Sequence, residues 1–398
     1  MSKPSKRVNF LDAGRAILLL LGIPFHVSEM YRISGGFLVD SPDRSFVASL
    51  LSAFIHSFRM PAFFLLSGYF SVMIIERRGA KAWFRSRLAK LGIPLLGTAV
   101  TLGVAERTLI HHFGAGIPLA ESFAITLTAP NSWVNHRWFL VVLLMYCATL
   151  SLFYRQLERV PQAEAFLQRT RIRFGYFSIL FNAALLLVPF AAIVAGKIVG
   201  EWILQLPALK AYAIAYVSYA VFFFTGAALH KAVDGLQRFT SPNRSDWVLG
   251  FVFLCLYITT YFAFYEIHPG PAVQIVHLAC ETITGFFATK LFFAFAKRVF
   301  IRESQLIHYF VDGSFVIYLL HEVLFLAGGG LLLARPWAPL LEMGLLVTTT
   351  LGGAVLGYEV AKRVPTLPLL LNGGAFKRTR HQDDRAPAEV AVQKASSS

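Results

Sequence analysis

Long apolar runs, broken at intervals by short polar and basic clusters, dominate this chain. A helix needs about 20 mostly apolar residues to cross the hydrocarbon core of a bilayer. The pattern predicts ten such spans, at about 12–34, 46–75, 91–112, 138–154, 176–196, 211–229, 247–266, 275–296, 314–333 and 338–361. The expected fold is therefore all-α and polytopic. Residues 1–376 read as one membrane-embedded domain, and the polar stretch 377–398, which ends in three serines, as a disordered tail. The first run has a basic start but no small-residue cleavage site, and His26, Ser28 and Glu29 lie within it. It reads as a retained anchor, not a cleaved signal. No internal repeat is visible, which weakly disfavours an inverted-repeat transporter.

Composition agrees with the pattern. Of the 398 residues, 56% are hydrophobic and 15% charged, and the mean hydropathy is +0.59. An ordinary soluble domain has about 25% charged residues. There is too little polar surface here to cover a soluble globule. The net charge of +15 would suggest nucleic acid in a soluble protein, so the placement of the charges decides its meaning. Most of the 37 lysines and arginines fall in the N-terminal tail, in alternate connections and in the C-terminal tail. The opposite side carries only Arg32, Arg44, Arg107, Arg137, Lys197, Lys210 and Arg335, and Arg15, Arg59 and Lys290 lie within spans. By the positive-inside rule both termini are expected in the cytoplasm, and nucleic acid is not needed to explain the charge. Cys147, Cys255 and Cys280 sit in apolar runs, and no zinc, redox or other metal-binding spacing is present.

Ionisable residues inside a bilayer are costly and are functional candidates. Arg15 and His26 lie eleven residues apart on the first span. That spacing is close to three helical turns, so both project from one face, about 16 Å apart along the axis. Arg15 also suits a side chain snorkelling to the interface, and His26 a helix–helix hydrogen bond. Pro24 leaves the Leu20 carbonyl without its usual partner, which predicts a bend. Glu29, three residues past His26, is placed to orient its ring. On the second span His56 and Arg59 share a face, and the depth of Arg59 requires a polar cavity or a carboxylate. Glu281, with His277 and Lys290 on the eighth span, and His321 on the ninth are further cavity candidates. Between the second and third spans, Arg85, Arg87 and Lys90 either set topology or bind phosphate through charge-assisted hydrogen bonds.

The Arg15–His26 pair, followed by Met60-Pro61-Ala62-Phe63-Phe64-Leu65-Leu66-Ser67-Gly68-Tyr69, resembles the acyltransferase 3 family of integral membrane acyltransferases. Leu21–Ser28, His56–Met60, Ser67–Ser71, Leu91–Pro94, Trp138–Leu143 and Val364–Leu370 narrow the resemblance to its branch acting on osmoregulated periplasmic glucans. The resemblance covers roughly residues 8–375. It implies an inner-membrane succinyltransferase that passes succinyl from cytoplasmic succinyl-CoA to glucose hydroxyls outside, with no permanently bound cofactor and with other glucan-biosynthesis proteins as possible partners. The family's arginine and histidine fall on Arg15 and His26. Its cytoplasmic R-x-x-R element falls on Arg87-Leu88-Ala89-Lys90, where lysine replaces the second arginine and loses bidentate geometry.

These residues suit that chemistry. A basic inner face would hold the carrier's phosphates. His26 would take the hydroxyl proton as a general base, or accept the acyl group itself. Arg59 would hold the free carboxylate of a dicarboxylic acyl group or stabilise an oxyanion. Two other readings stay open at this point: O-acetylation of another envelope glycan, and a transporter or flippase of sugar-linked substrates.

Overall fold

The computed structural model describes residues 9–159, 207–267, 270–300, 304–332, 337–364 and 366–374. Among them nine helical segments are long and apolar enough to cross a membrane, and no strand occurs. They coincide with nine of the ten expected spans. The expected span at 176–196 and the tail 377–398 lie outside the described residues.

The first span is two helices, α1 (Asn9–Leu20) and α2 (Gly22–Met30). The break falls where Pro24 withholds the N–H that would have served Leu20. The helix α3 (Phe46–Arg78) follows, capped by the Ser45 hydroxyl, which accepts from the Ala48 N–H. The third span, α4 (Ala80–Gly114), contains three π-helical turns, at Leu88–Gly92, Ala99–Gly103 and Ile110–Gly114. Each re-aims the residues that follow it. After the short α5 (Leu119–Thr128) come α6 (Trp138–Leu157), α7 (Pro207–Lys231), α8 (Arg244–Ile267), α9 (Pro271–Val299), α10 (Gln305–Leu332), α11 (Pro339–Arg363) and α12 (Leu367–Asn372).

The surface carries large apolar side chains, among them Leu96, Leu152, Phe251, Leu331 and Leu356. In water such a surface would aggregate; against lipid it is the expected exterior. This is a multi-pass membrane protein. Lipid offers helices no hydrophobic gain for packing together, so close backbone approach must supply the contact. It does so between α3 and α7, which run in the same direction, with Phe64 against Tyr219 and Glu76 against Lys231. A Cβ on Gly226 would lie 1.8 Å from the Leu65 carbonyl oxygen, and one on Gly68 1.9 Å from that of Phe223. Only hydrogen fits at these two positions.

Gly226→Val should therefore force α3 and α7 apart, at a cost of about 1–3 kcal/mol or more. The expected result is a lower thermal midpoint in detergent at unchanged helical circular dichroism. An unchanged midpoint would refute the close-approach account.

Candidate active site

The chain path defines two ends of the bundle. One carries Asn9 and the other carries Met30 and Phe46, where the Ser45 N–H donates to the Tyr31 carbonyl at 2.8 Å. In the half near Asn9 lies a cavity of about 440 Å³. Arg15 of α1 and Arg87 and Lys90 of α4 line it, together with Asp12, Ser71 and Asp312. The Arg15 guanidinium lies 6.0 Å from the centre of the Phe70 ring. Arg85, on the same short helical stretch, is exposed and does not line this cavity. The helical rotation that carries Arg87 inward carries Arg85 away from it.

A second cavity, of about 650 Å³, lies in the opposite half. Its lining includes Pro61, Asn135, Trp138, Tyr219, Phe222 and Glu281. The two cavities are separated by little. Trp138 faces one and its neighbour Phe139 the other; Pro61 and Phe63 divide in the same way. The wall between them is aromatic, with Phe63 edge-on to Phe139 at 5.4 Å and Phe139 edge-on to Tyr318 at 5.2 Å.

Beside this wall lies a cluster of buried imidazoles. His26 is 5.2 Å from His321 and 6.3 Å from His136, and His136 is 5.1 Å from His321, centre to centre. Both nitrogens of His26 are buried without a hydrogen-bond partner. Nδ1 of His321 donates to the Tyr318 carbonyl, which leaves Nε2 unpartnered. His136 has its Nδ1 against the Glu322 carboxylate.

Arg59 is 5% exposed, and its guanidinium lies 4.5 Å from the centre of the Phe25 ring. Its Nε and Nη1 lack hydrogen-bond partners. A cation–π contact supplies part of the lost hydration. His56 stacks on Phe25 as well, at 5.7 Å, so one ring contacts both residues. The backbone of Gly22 makes room for the arginine: a Cβ there would lie 2.8 Å from Arg59 Nη1 and 2.8 Å from Tyr318 Cε2. His56 is paired with Glu281 at 3.3 Å.

Several sequence expectations are corrected. Glu29 does not hold His26. It pairs with Arg32 at 3.1 Å and accepts from the Ser52 hydroxyl, because three residues of helix aim it at Arg32 and at α3 instead. Arg15 lines the cavity in the Asn9 half, and His26 is not among that cavity's lining residues. Lys290 and His277 are absorbed in pairs, with Asp246 at 2.7 Å and with the Thr260 hydroxyl at 3.1 Å. Arg137, expected as an outer loop charge, is fully buried.

Five connected residues, Glu106, Asn135, His136, Arg137 and Glu322, were also assigned no role from sequence alone. The Arg137 guanidinium donates to both oxygens of Glu106, at 2.9 and 2.5 Å. Asn135 donates to Glu106 at 3.0 Å. One ligand atom each from Glu106, His136 and Glu322 fall within 4.8 Å of one another, as a metal site would require. Their signal was weak: Glu106 sits inside an apolar run, and His136 and Arg137 in a segment that reads as a loop.

The acyltransferase domain model of the acyltransferase 3 family matches residues 8–359. This chain belongs to that family. It is thus a multi-pass membrane acyltransferase. The glucans biosynthesis protein C of Escherichia coli O81 (strain ED1a) is 29% identical over 396 residues, covering 97% of this chain and 99% of that protein. Proteins of the same name from Salmonella paratyphi B and Salmonella agona are each 28% identical over 382 residues, covering 94% of this chain and 96% of theirs. No solved structure matches the chain.

Because Glu106 neutralises a fully buried guanidinium, Glu106→Gln should cost about 3–5 kcal/mol. Glu106→Gln combined with Arg137→Gln should recover part of that loss. Thermal unfolding of the two single variants and the double variant forms the cycle; strict additivity would show that the pair does not couple.

Proposed function

We propose that this protein, an inner-membrane enzyme with its Asn9 end in the cytoplasm, transfers a succinyl group from succinyl-CoA to a glucose hydroxyl of a periplasmic glucan. The observation that carries this reading is the pair of cavities set back to back across one aromatic layer, with the imidazole cluster beside that layer. Acyl transfer across a membrane needs a donor site and an acceptor site on opposite sides, meeting at a catalytic group. The cavity lined by Arg15, Arg87 and Lys90 suits the phosphates of an acyl-CoA. The bias of lysine and arginine toward that end supports a cytoplasmic placement. The second cavity, with its aromatic rings, Asn135 and Glu281, suits a sugar's apolar faces and hydroxyls. The name shared by the relatives, glucans biosynthesis protein C, supports a glucan acceptor.

Arg59 supports a dicarboxylic donor. A buried guanidinium with unpartnered N–H groups is suited to a carboxylate, which an acetyl group lacks. His26 lies near the point where thioester and hydroxyl must meet, and as a neutral imidazole it can accept a proton or the acyl group.

Mass spectrometry of periplasmic glucans tests the function. Cells carrying the gene should yield glucans heavier by whole succinyl groups, and cells lacking it should not; steps of one acetyl group would overturn the choice of donor. His26→Ala, inserted normally, should abolish the modification. In purified protein Arg87→Ala should raise KM for succinyl-CoA about 10- to 150-fold, with a smaller change in kcat, as one charge-assisted phosphate contact of about 1.5–3 kcal/mol implies. Unchanged KM would remove Arg87 from the donor site.

A further inference from the structure

The carboxylate-backed histidine of this site is His136, not His26. Its Nδ1 lies against the Glu322 carboxylate as an ion-pair contact, and neither ring nitrogen has another hydrogen-bond partner. A carboxylate on one nitrogen fixes the tautomer. It leaves the other nitrogen's lone pair available and stabilises the imidazolium that forms when a proton is taken. His26 has no such partner, and His321 is held only by a backbone carbonyl, which carries no charge.

The position of His136 is equally specific. It lies between Asn135 and the Arg137-Trp138 pair, and both Asn135 and Trp138 line the larger cavity. The loop that carries it is rigidly held. Arg137 donates to the carbonyls of Trp133 and Val134 at 3.4 and 3.3 Å as well as to Glu106. Trp133 donates from its indole to the Thr126 carbonyl at 2.9 Å. Its own carbonyl presses on α4, where a Cβ on Gly103 would lie 2.0 Å away. Such clamping is what a proton-transfer group needs.

We propose that His136 is the general base that takes the acceptor hydroxyl's proton during acyl transfer, and that Glu322 is the residue that positions it. This rests on the acyl-transfer reading above. In the step, the hydroxyl oxygen attacks the thioester carbonyl and its proton passes to His136 Nε2. The C–O bond forms, the C–S bond breaks, and the electron pair leaves on the carrier's sulfur. The proton held by His136 then passes to that thiolate, so that the free thiol and the ester are the products. Glu106, His136 and Glu322 together satisfy the spacing of a metal site. However, both Glu106 oxygens already accept from Arg137 and one also from Asn135. A guanidinium in that position opposes a second cation, and the acid–base role fits the donors better.

Steady-state kinetics with succinyl-CoA and a soluble β-glucan oligosaccharide, on the full chain in lipid nanodiscs, tests this. His136→Ala should lower kcat about 10²–10⁴-fold with KM for succinyl-CoA within about threefold of wild type. His136→Asn keeps an N–H toward Glu322 without a basic nitrogen; it should fold where alanine does not and show the same loss of kcat. Glu322→Gln should lower kcat by more than tenfold with the same KM for donor. If His26→Ala is inactive while both His136 variants retain kcat within threefold, the base assignment is overturned and the acyl-transfer reading survives. If Glu322→Gln moves KM and leaves kcat, its positioning role is overturned. Wild-type activity lost to a chelator and restored by a divalent cation would replace the base with a metal centre. A wild-type protein that acylates no glucan would instead sink the parent reading.

Discussion

The buried ion pair between Glu106 and Arg137 holds this site together. It joins the third span to the loop that delivers α6, where neither water nor lipid headgroups can satisfy a charge. Breaking it would strand a guanidinium in the interior, which is far more costly than any gain in forming the pair. The pair therefore acts chiefly through what it forbids. With it closed, the loop 130–137 is fixed, His136 is set against Glu322, and Trp138 and Phe139 are presented to opposite cavities.

Small residues perform the complementary task of admitting these contacts. Gly103 lets the loop lie against α4, Gly22 lets Arg59 and Tyr318 approach α2, and Gly68 and Gly226 let α3 meet α7. In a bilayer such contacts replace the hydrophobic gain that drives packing in water. The polar chemistry is then confined to a narrow layer, with two imidazoles held by Glu322 and a backbone carbonyl and a third, His26, left unpartnered.

Much of this was legible in the sequence because hydropathy reports directly on the solvent each residue meets. The positions of nine spans, the break before Pro24, and the gathering of Arg87 and Lys90 near Arg15 follow from local pattern and charge. What stayed hidden depends on pairing across distant segments. Arg137 looks like a solvated loop charge until Glu106, thirty-one positions earlier, is folded against it. Glu29 looks like a partner for His26 until Arg32 and Ser52 are seen to claim it. Hydropathy averages over a window, so a single carboxylate in an apolar run such as Glu106 is diluted to invisibility.

The thinness of the aromatic wall has a further consequence. A bilayer resists ion passage through its full hydrocarbon thickness, about 30 Å. Along the line joining the two cavities that resistance falls to a layer in which Phe63, Phe139 and Tyr318 meet edge to face. On the proposed inner-membrane reading, whatever lets an acyl arm pass must close faster than protons can follow, and the same rings are part of the insulation on which the cell's stored electrochemical gradient depends.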